Sequence, residues 1–223
     1  MRTISSLLLV LSCLLPLRAQ EEGEKYGFIR LVNAVAAGEG TVTLLLDGSN
    51  LYPSGYKLGD ATGGMGVPVG RCKVVIRREG TKDGTTNVTV EEGRTTTIIP
   101  FAELIPATDD EPEHWQIRIL RLKQKSESER RNATFVSVAR DAEIPVEMRD
   151  PDGTWKKYAV KRFDTTVAPM NYPEGYVPLR VKERDLPSIP VLDVGNYVVV
   201  LYDDPDGQLQ SLNFRDFHHV TAD

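Results

Sequence analysis

Residues 65–76 read MGVPVGRCKVVI, and residues 170–181 read MNYPEGYVPLRV. Met65 lies over Met170, Pro68 over Pro173 and Gly70 over Gly175 at one constant spacing, which Asp47-Gly48 and Asp152-Gly153 also keep. Val74 then meets Leu179, and Ile76 meets Val181. With small gaps the match spreads in both directions. Phe28-Ile29-Arg30-Leu31-Val32 resembles Phe135-Val136-Ser137-Val138-Ala139, and Gly93 before Thr95–Ile99 resembles Gly195 before Tyr197–Leu201. Self-similarity of this kind marks a repeated structural unit. It predicts two related domains, 24–122 and 132–219, joined by the polar linker 123–131, which is short enough to keep them close neighbours.

Each unit reads as all β. Cys72, Val74 and Ile76 alternate with Lys73 and Arg77, with Val75 as a blemish, and Trp115, Ile117 and Ile119 alternate with Gln116 and Arg118. A period of two gives a strand one buried and one wet face. The Asp-Gly pairs at 47–48, 83–84, 152–153 and 206–207 read as tight hairpin turns, because glycine accepts a positive φ. The Pro68-x-Gly70 and Pro173-x-Gly175 turns each set the start of an alternating strand. About seven short strands per unit predict two tandem immunoglobulin-like β-sandwich domains related by an internal repeat.

Composition supports this. The 223 residues are 40% hydrophobic and 26% charged, with a net charge of −5. That is enough apolar material for a core, and the acidic balance offers no bulk attraction to nucleic acid or an anionic membrane. Residues 1–19, MRTISSLLLVLSCLLPLRA, read as a cleaved signal peptide: a positive end at Arg2, an apolar run, and small Ala19 before the cut. A competing pattern, Val10-Leu11-Ser12-Cys13, fits lipid attachment at Cys13 less well, since the apolar run continues past it. Cleavage removes Arg2 and Arg18, taking the net charge from −5 to −7, and leaves Cys72 as the one cysteine. Export without a disulfide points to a bacterial periplasm. The mature chain is expected to have no transmembrane segment.

The search for chemistry finds little. Ser49 after Gly48 lacks a nucleophile elbow. His114 reads as a strand-end residue, and adjacent His218 and His219 would point apart on a strand and chelate poorly. Asp150-Pro-Asp152-Gly153 and Asp203-Asp204-Pro-Asp206-Gly207 lack the ligand series of a calcium loop. Asp109–Glu113 reads as a solvated loop, and Cys72 as a buried thiol. No catalytic residue, metal site or cofactor is assigned. The candidate partner- or glycan-binding residues are the aromatics after the two Asp-Gly turns, Tyr52, Tyr56, Trp155 and Tyr158, because Tyr and Trp stack on sugars or seat a protein partner.

Four stretches resemble a known family: Phe28-Ile29-Arg30-Leu31-Val32-Asn33-Ala34, the Pro68-x-Gly70 turn, Lys123-Gln124-Lys125-Ser126, and Val146–Thr154 with its Asp152-Gly153 turn. Together with the order and length of the chain, they are similar to the periplasmic alginate O-acetylation accessory family, which is a signal peptide followed by two small β-sandwiches. The opening and the Pro-x-Gly turn also resemble an uncharacterised domain family of bacterial secreted proteins. The first resemblance implies a non-catalytic adaptor that organises periplasmic or membrane-bound acyltransferase machinery acting on an exopolysaccharide. The resemblance carries over no catalytic residue. The insertion at Thr81–Thr86 and the acidic loop at Asp109 depart from the family pattern. Two alternatives stay open: a carbohydrate-binding or surface-adhesion module, and a small secreted hydrolase. In either, the groove between the domains is the default ligand position.

Overall fold

The computed structural model describes residues 24–218. The signal-peptide residues, Cys13 and His219 lie outside them. All regular structure among the described residues is strand. The first half holds β1 (Tyr26–Leu31), β2 (Glu39–Leu46), β3 (Ser49–Asn50), β4 (Met65–Pro68), β5 (Gly70–Glu79), β6 (Gly84–Val90), β7 (Thr95–Ile105) and β8 (His114–Lys123). The second holds β9 (Arg131–Ser137), β10 (Glu143–Arg149), β11 (Trp155–Lys161), β12 (Thr165–Pro169), β13 (Gly175–Val181), β14 (Arg184–Val191), β15 (Gly195–Asp203) and β16 (Leu209–Arg215). Each half thus has eight strands rather than about seven. Among the described residues, no helix is long and apolar enough to cross a membrane.

The strands form four sheets, ordered β4-β1-β7-β8, β3-β2-β5-β6, β12-β9-β15-β16 and β11-β10-β13-β14. The two halves share one strand order. In both, the first strand pairs in parallel with the seventh, as in Phe28 opposite Thr95 and Ala133 opposite Tyr197. The turns that open β5 and β13 also agree, with Gly70 and Gly175 both at φ 137°. That angle lies where only glycine is unstrained.

Three cores bind the sheets. Ile29, Leu31 and Ile98 pack on Val42, Leu44, Val74 and Ile76, closing the first pair of sheets. Phe135, Val199 and Leu201 pack on Val146, Met148, Leu179 and Ile189, closing the second. A third core joins the halves: Val32, Ala34, Ile99 and Phe101 against Val136, Val138, Val198, Val200 and Tyr202. The molecule is therefore a stack of four sheets. Its two inner sheets are buried on both faces, which is why Ile98-Ile99 and Val198–Leu201 are continuous apolar runs instead of alternating ones.

The opening stretch Phe28–Ala34 serves two cores at once. Ile29 and Leu31 face inward within the first half, and Val32 and Ala34 face the second half. Arg30 also lies buried in the junction, 3.0 Å from Asp216, with its guanidinium 4.5 Å from the centre of the Phe214 ring. Buried Asn33 ends the strand: its amide donates to Tyr56 O and its Oδ1 accepts the Val35 N–H.

One sequence expectation needs correction. Gly84 is not a turn residue. It opens β6, and a Cβ there would sit 2.7 Å from Ile117 Cγ2 and 2.9 Å from Ile117 O. Close approach of β8 requires that glycine, and the positive φ of the β5–β6 connection belongs to Gly80. The polar segment 123–131 is anchored at its start. Gln124 is buried, accepts the Thr95 N–H and donates to the Phe217 carbonyl, so the linker is stitched to both β7 and the C-terminal segment.

Candidate functional site at the junction of the halves

The chain from Ala34 to Gly38 leaves β1 and runs beside β7, through a bridge between Ala34 and Phe101. Small side chains there leave a hollow of about 320 Å³ between the halves. Phe101 of β7 and Trp115 of β8 form its wall from the first half. Arg140, Arg162 and Asp203 come from the second. This is the volume of a small ligand pocket. The third core ends here, and the hollow forms where its packing stops.

Three elements of the second half set the charged groups. Arg140 lies between β9 and β10, and its backbone N–H donates to Asp203 Oδ2 at 2.8 Å. Its guanidinium stays near the same oxygen at 3.9 Å and is 63% exposed. Arg162 lies in the turn between β11 and β12. Its Nη1 is 3.5 Å from Glu103 Oε1, and Glu103 also meets Arg118 at 3.4 Å. Arg162 Nε is buried without a hydrogen-bond partner.

Phe163 follows at φ 65°, a conformation that costs a bulky residue of order 1–2 kcal/mol. Its N–H donates to Ser137 O, its ring lies 5.1 Å from Phe101, and the Arg162 guanidinium sits 4.2 Å above it. The ring is half-exposed. On its far side, Phe163, Thr85, Thr86, Gln116 and Arg118 line a second hollow of about 520 Å³. Two hollows thus flank one aromatic step, and both contain groups from each half.

The aromatics chosen from the sequence lie elsewhere. Tyr56 belongs to the first core, and Tyr158 packs on the second core with its ring 6.1 Å from Phe135. Burial pushes both phenols up in pKa. Trp155 lies in β11 with Arg180 4.0 Å over its ring, and Glu147 holds Arg180 at 2.5 Å. Tyr52 is 49% exposed and sits 5.2 Å from the Tyr56 ring. Tyr52 and Tyr56 follow β3 on one outer sheet, and Trp155 and Tyr158 lie on the opposite outer sheet. The fold brings neither pair to the junction.

Other candidates have structural partners. Asp204 accepts the Asp206 and Gln208 N–H groups and the Gln210 side chain, and these bonds lower its pKa. Glu111 in the acidic loop is held down by Lys82 at 2.6 Å. His114 Nδ1 lies 2.9 Å from Pro112 O, and His218 Nδ1 lies 2.9 Å from Glu127. Among the described residues, no group of three His, Cys, Asp or Glu is placed to hold a metal ion. No protein-family model matches the chain, and no curated protein matches it.

Arg140, Arg162 and Phe163 escaped the sequence reading, and Asp203 entered it only as part of a rejected calcium loop, because no local spacing links the four. They meet only when two turns, a strand end and the other half's β7 and β8 converge. One signal was available. The doubly apolar runs of β7 and β15 mark the sheets that face each other, and a ligand groove belongs at the end of such a contact.

Proposed function

We propose that the chain is an exported, non-catalytic adaptor of the cell envelope, whose contact surface is the groove at the junction of its two halves. It acts in the periplasm, in exopolysaccharide O-acetylation or a related process, beside membrane-bound or periplasmic acyltransferases. The observation that carries this reading is the groove itself. Arg140, Arg162 and Asp203 of one half converge on Phe101 and Trp115 of the other, over a buried core that holds the two in register. Such a surface is preorganised, so binding need not order it first. The shared strand order supports reading the halves as repeated immunoglobulin-like sandwiches, and the cleaved signal peptide is supported by the residue pattern of 1–19. A second reading, direct polysaccharide binding, is favoured by the aromatic step at Phe101 and Phe163.

The test is in-cell photo-crosslinking from position 163, with mass spectrometry of the captured proteins. A probe at Thr89, exposed on outer strand β6, serves as the control. The adaptor reading expects an acyltransferase or acetyltransferase captured from position 163 and not from 89. The same abundant envelope proteins from both positions would overturn it.

A further inference from the structure

We infer that the outer face of the β11-β10-β13-β14 sheet binds a second copy of this chain, forming a two-fold dimer that extends the stack of sheets. This face is the bare side of an outermost sheet, whereas the groove lies between the inner ones. The inference therefore stands whether or not the groove holds a partner.

The internal repeat shows what sets this face apart. Gly70 and Gly175 hold the same φ of 137° at the start of β5 and β13, so the residues after them occupy matching places. Cys72 and Val177, then Val74 and Leu179, fill the cores. The residues between them point outward. In the first half these are Arg71 and Lys73, with Thr89 and Asn87 of β6 opposite them, a polar face. In the second half they are Tyr176 and Pro178, with Pro190 of β14 opposite Tyr176. Tyr176 and Leu192, two residues on from Pro190, are each 72% exposed, more than any other large apolar side chain among the described residues. Trp155 lies on the same face, with the Arg180 guanidinium 4.0 Å over its ring. An apolar patch on a face that the repeat keeps polar elsewhere marks a contact surface.

Charge identifies the occupant. Lys157 lies opposite Glu147, Glu147 opposite Arg180, and Arg180 opposite Asp185. One row across the four strands thus runs plus, minus, plus, minus. These side chains point outward, because Val146, Met148, Val160, Leu179 and Leu186 take the core side. Opposite charges on neighbouring strands already support the sheet. Their order does more. A half-turn about an axis along the strands reverses the row, so Lys157 faces the partner's Asp185 and Glu147 faces the partner's Arg180. A half-turn about an axis across the strands would set each charge on its own kind. The first axis also keeps the strands of the two sheets aligned, a common way for sheets to pack face to face. It lays Trp155 of each copy over the 187–190 stretch of the other, apolar against apolar. The result is an isologous contact, in which one patch is its own complement.

Net charge and size set the strength. The chain carries −5 overall, so two copies repel at long range. The row from Lys157 to Asp185 is neutral, which removes that repulsion where the copies touch. β10, β11 and β13 have seven residues each. Four strands about 4.8 Å apart and roughly 23 Å long make a face of about 19 by 23 Å. Contacts of this small size are weak and reversible. The dimer therefore belongs to micromolar concentrations of the chain.

Sedimentation equilibrium of the purified protein, from about 1 to about 500 μM, tests this. The mass should rise from one chain to two. Tyr176→Arg gives the second half the residue that its repeat carries at position 71, and should weaken the dimer at least about tenfold. Leu192→Glu should do the same and carries the test if Tyr176→Arg does not fold, because both side chains lie largely in solvent. Lys157→Glu and Asp185→Lys should each weaken the dimer. Mixing these two variants should restore it, since positions 157 and 185 then meet with opposite charges at both ends of the row. Arg71→Glu makes the same change in net charge as Lys157→Glu, on the other outer sheet, and should lose nothing. A chain that stays monomeric throughout overturns the inference. A dimer indifferent to Tyr176→Arg and Leu192→Glu overturns this face as its seat. Charge variants that do not pair on mixing overturn the two-fold arrangement.

Discussion

At the scale of single residues, burial decides chemistry more than residue type does. Cys72 reads from the sequence as a buried thiol, and it is 1% exposed on the core face of β5. Burial first, and the nearby Asp47 carboxylate second, push its thiol from 9.0 up to about 11. A raised pKa means that folding favours the neutral thiol. This contribution is complete below the unfolded-state value and is lost as pH rises through the folded-state value. Denaturant unfolding of wild type should therefore show stability falling between about pH 9 and pH 11, more steeply than in Cys72→Ala. The variant should lose ~1 kcal/mol at neutral pH through its small cavity. Identical slopes in the two proteins would overturn the assignment. The native thiol should also resist thiol reagents until the protein unfolds.

At the scale of elements, glycines do two separate jobs. Gly70 and Gly175 share φ 137°, and neither has an atom within 4 Å of a would-be Cβ. Gly70→Ala and Gly175→Ala should each cost about 1 kcal/mol, by backbone strain alone and by similar amounts. Gly84 has no positive φ, but it lies against Ile117. Gly84→Ala should cost more, about 2–3 kcal/mol, because β6 and β8 must separate. A combined Gly84→Ala/Ile117→Val variant should recover part of that loss, whereas Gly70→Ala should not couple to Ile117. Chemical denaturation of the set decides it, and equal losses at all three sites would refute the distinction. Much of this level was legible. The repeated Pro-x-Gly turn and the alternation of Cys72, Val74 and Ile76 came directly from residue order. The role of Gly84 did not, since Asp83-Gly84 looks like any hairpin and the reason for its glycine sits on a strand thirty residues away.

At the scale of the whole molecule, the junction is a core rather than a loose contact. Arg30 and Asp216 form an ion pair there with side chains 3% and 6% exposed. Removing one partner leaves a buried charge, which typically costs about 3–5 kcal/mol, while replacing both with apolar groups is far milder. Arg30→Met alone should therefore be much less stable than Arg30→Met/Asp216→Leu. The central core also couples the halves energetically, so thermal unfolding should follow one transition with matching calorimetric and van't Hoff enthalpies. Two resolved transitions would show that the halves unfold independently and would refute this coupling.

The residue order alone specified the local grammar of this protein: strands from period-two alternation, turns from Asp-Gly and Pro-x-Gly, and a match between two stretches of chain. These features act through neighbours in sequence, where backbone geometry and side-chain direction are set within a few residues. The stacking of four sheets, the buried Arg30–Asp216 pair and the groove at Arg140 and Arg162 came from the three-dimensional packing. Each joins groups far apart in the chain, and no local preference places one sheet's face on another's. The candidate aromatics illustrate the difference. Tyr56 and Tyr158 look like binding residues when their neighbours alone are considered. Packing placed Tyr56 in the first core and laid Tyr158, partly buried, against the second, while Phe163 and Arg140 lie open at the junction.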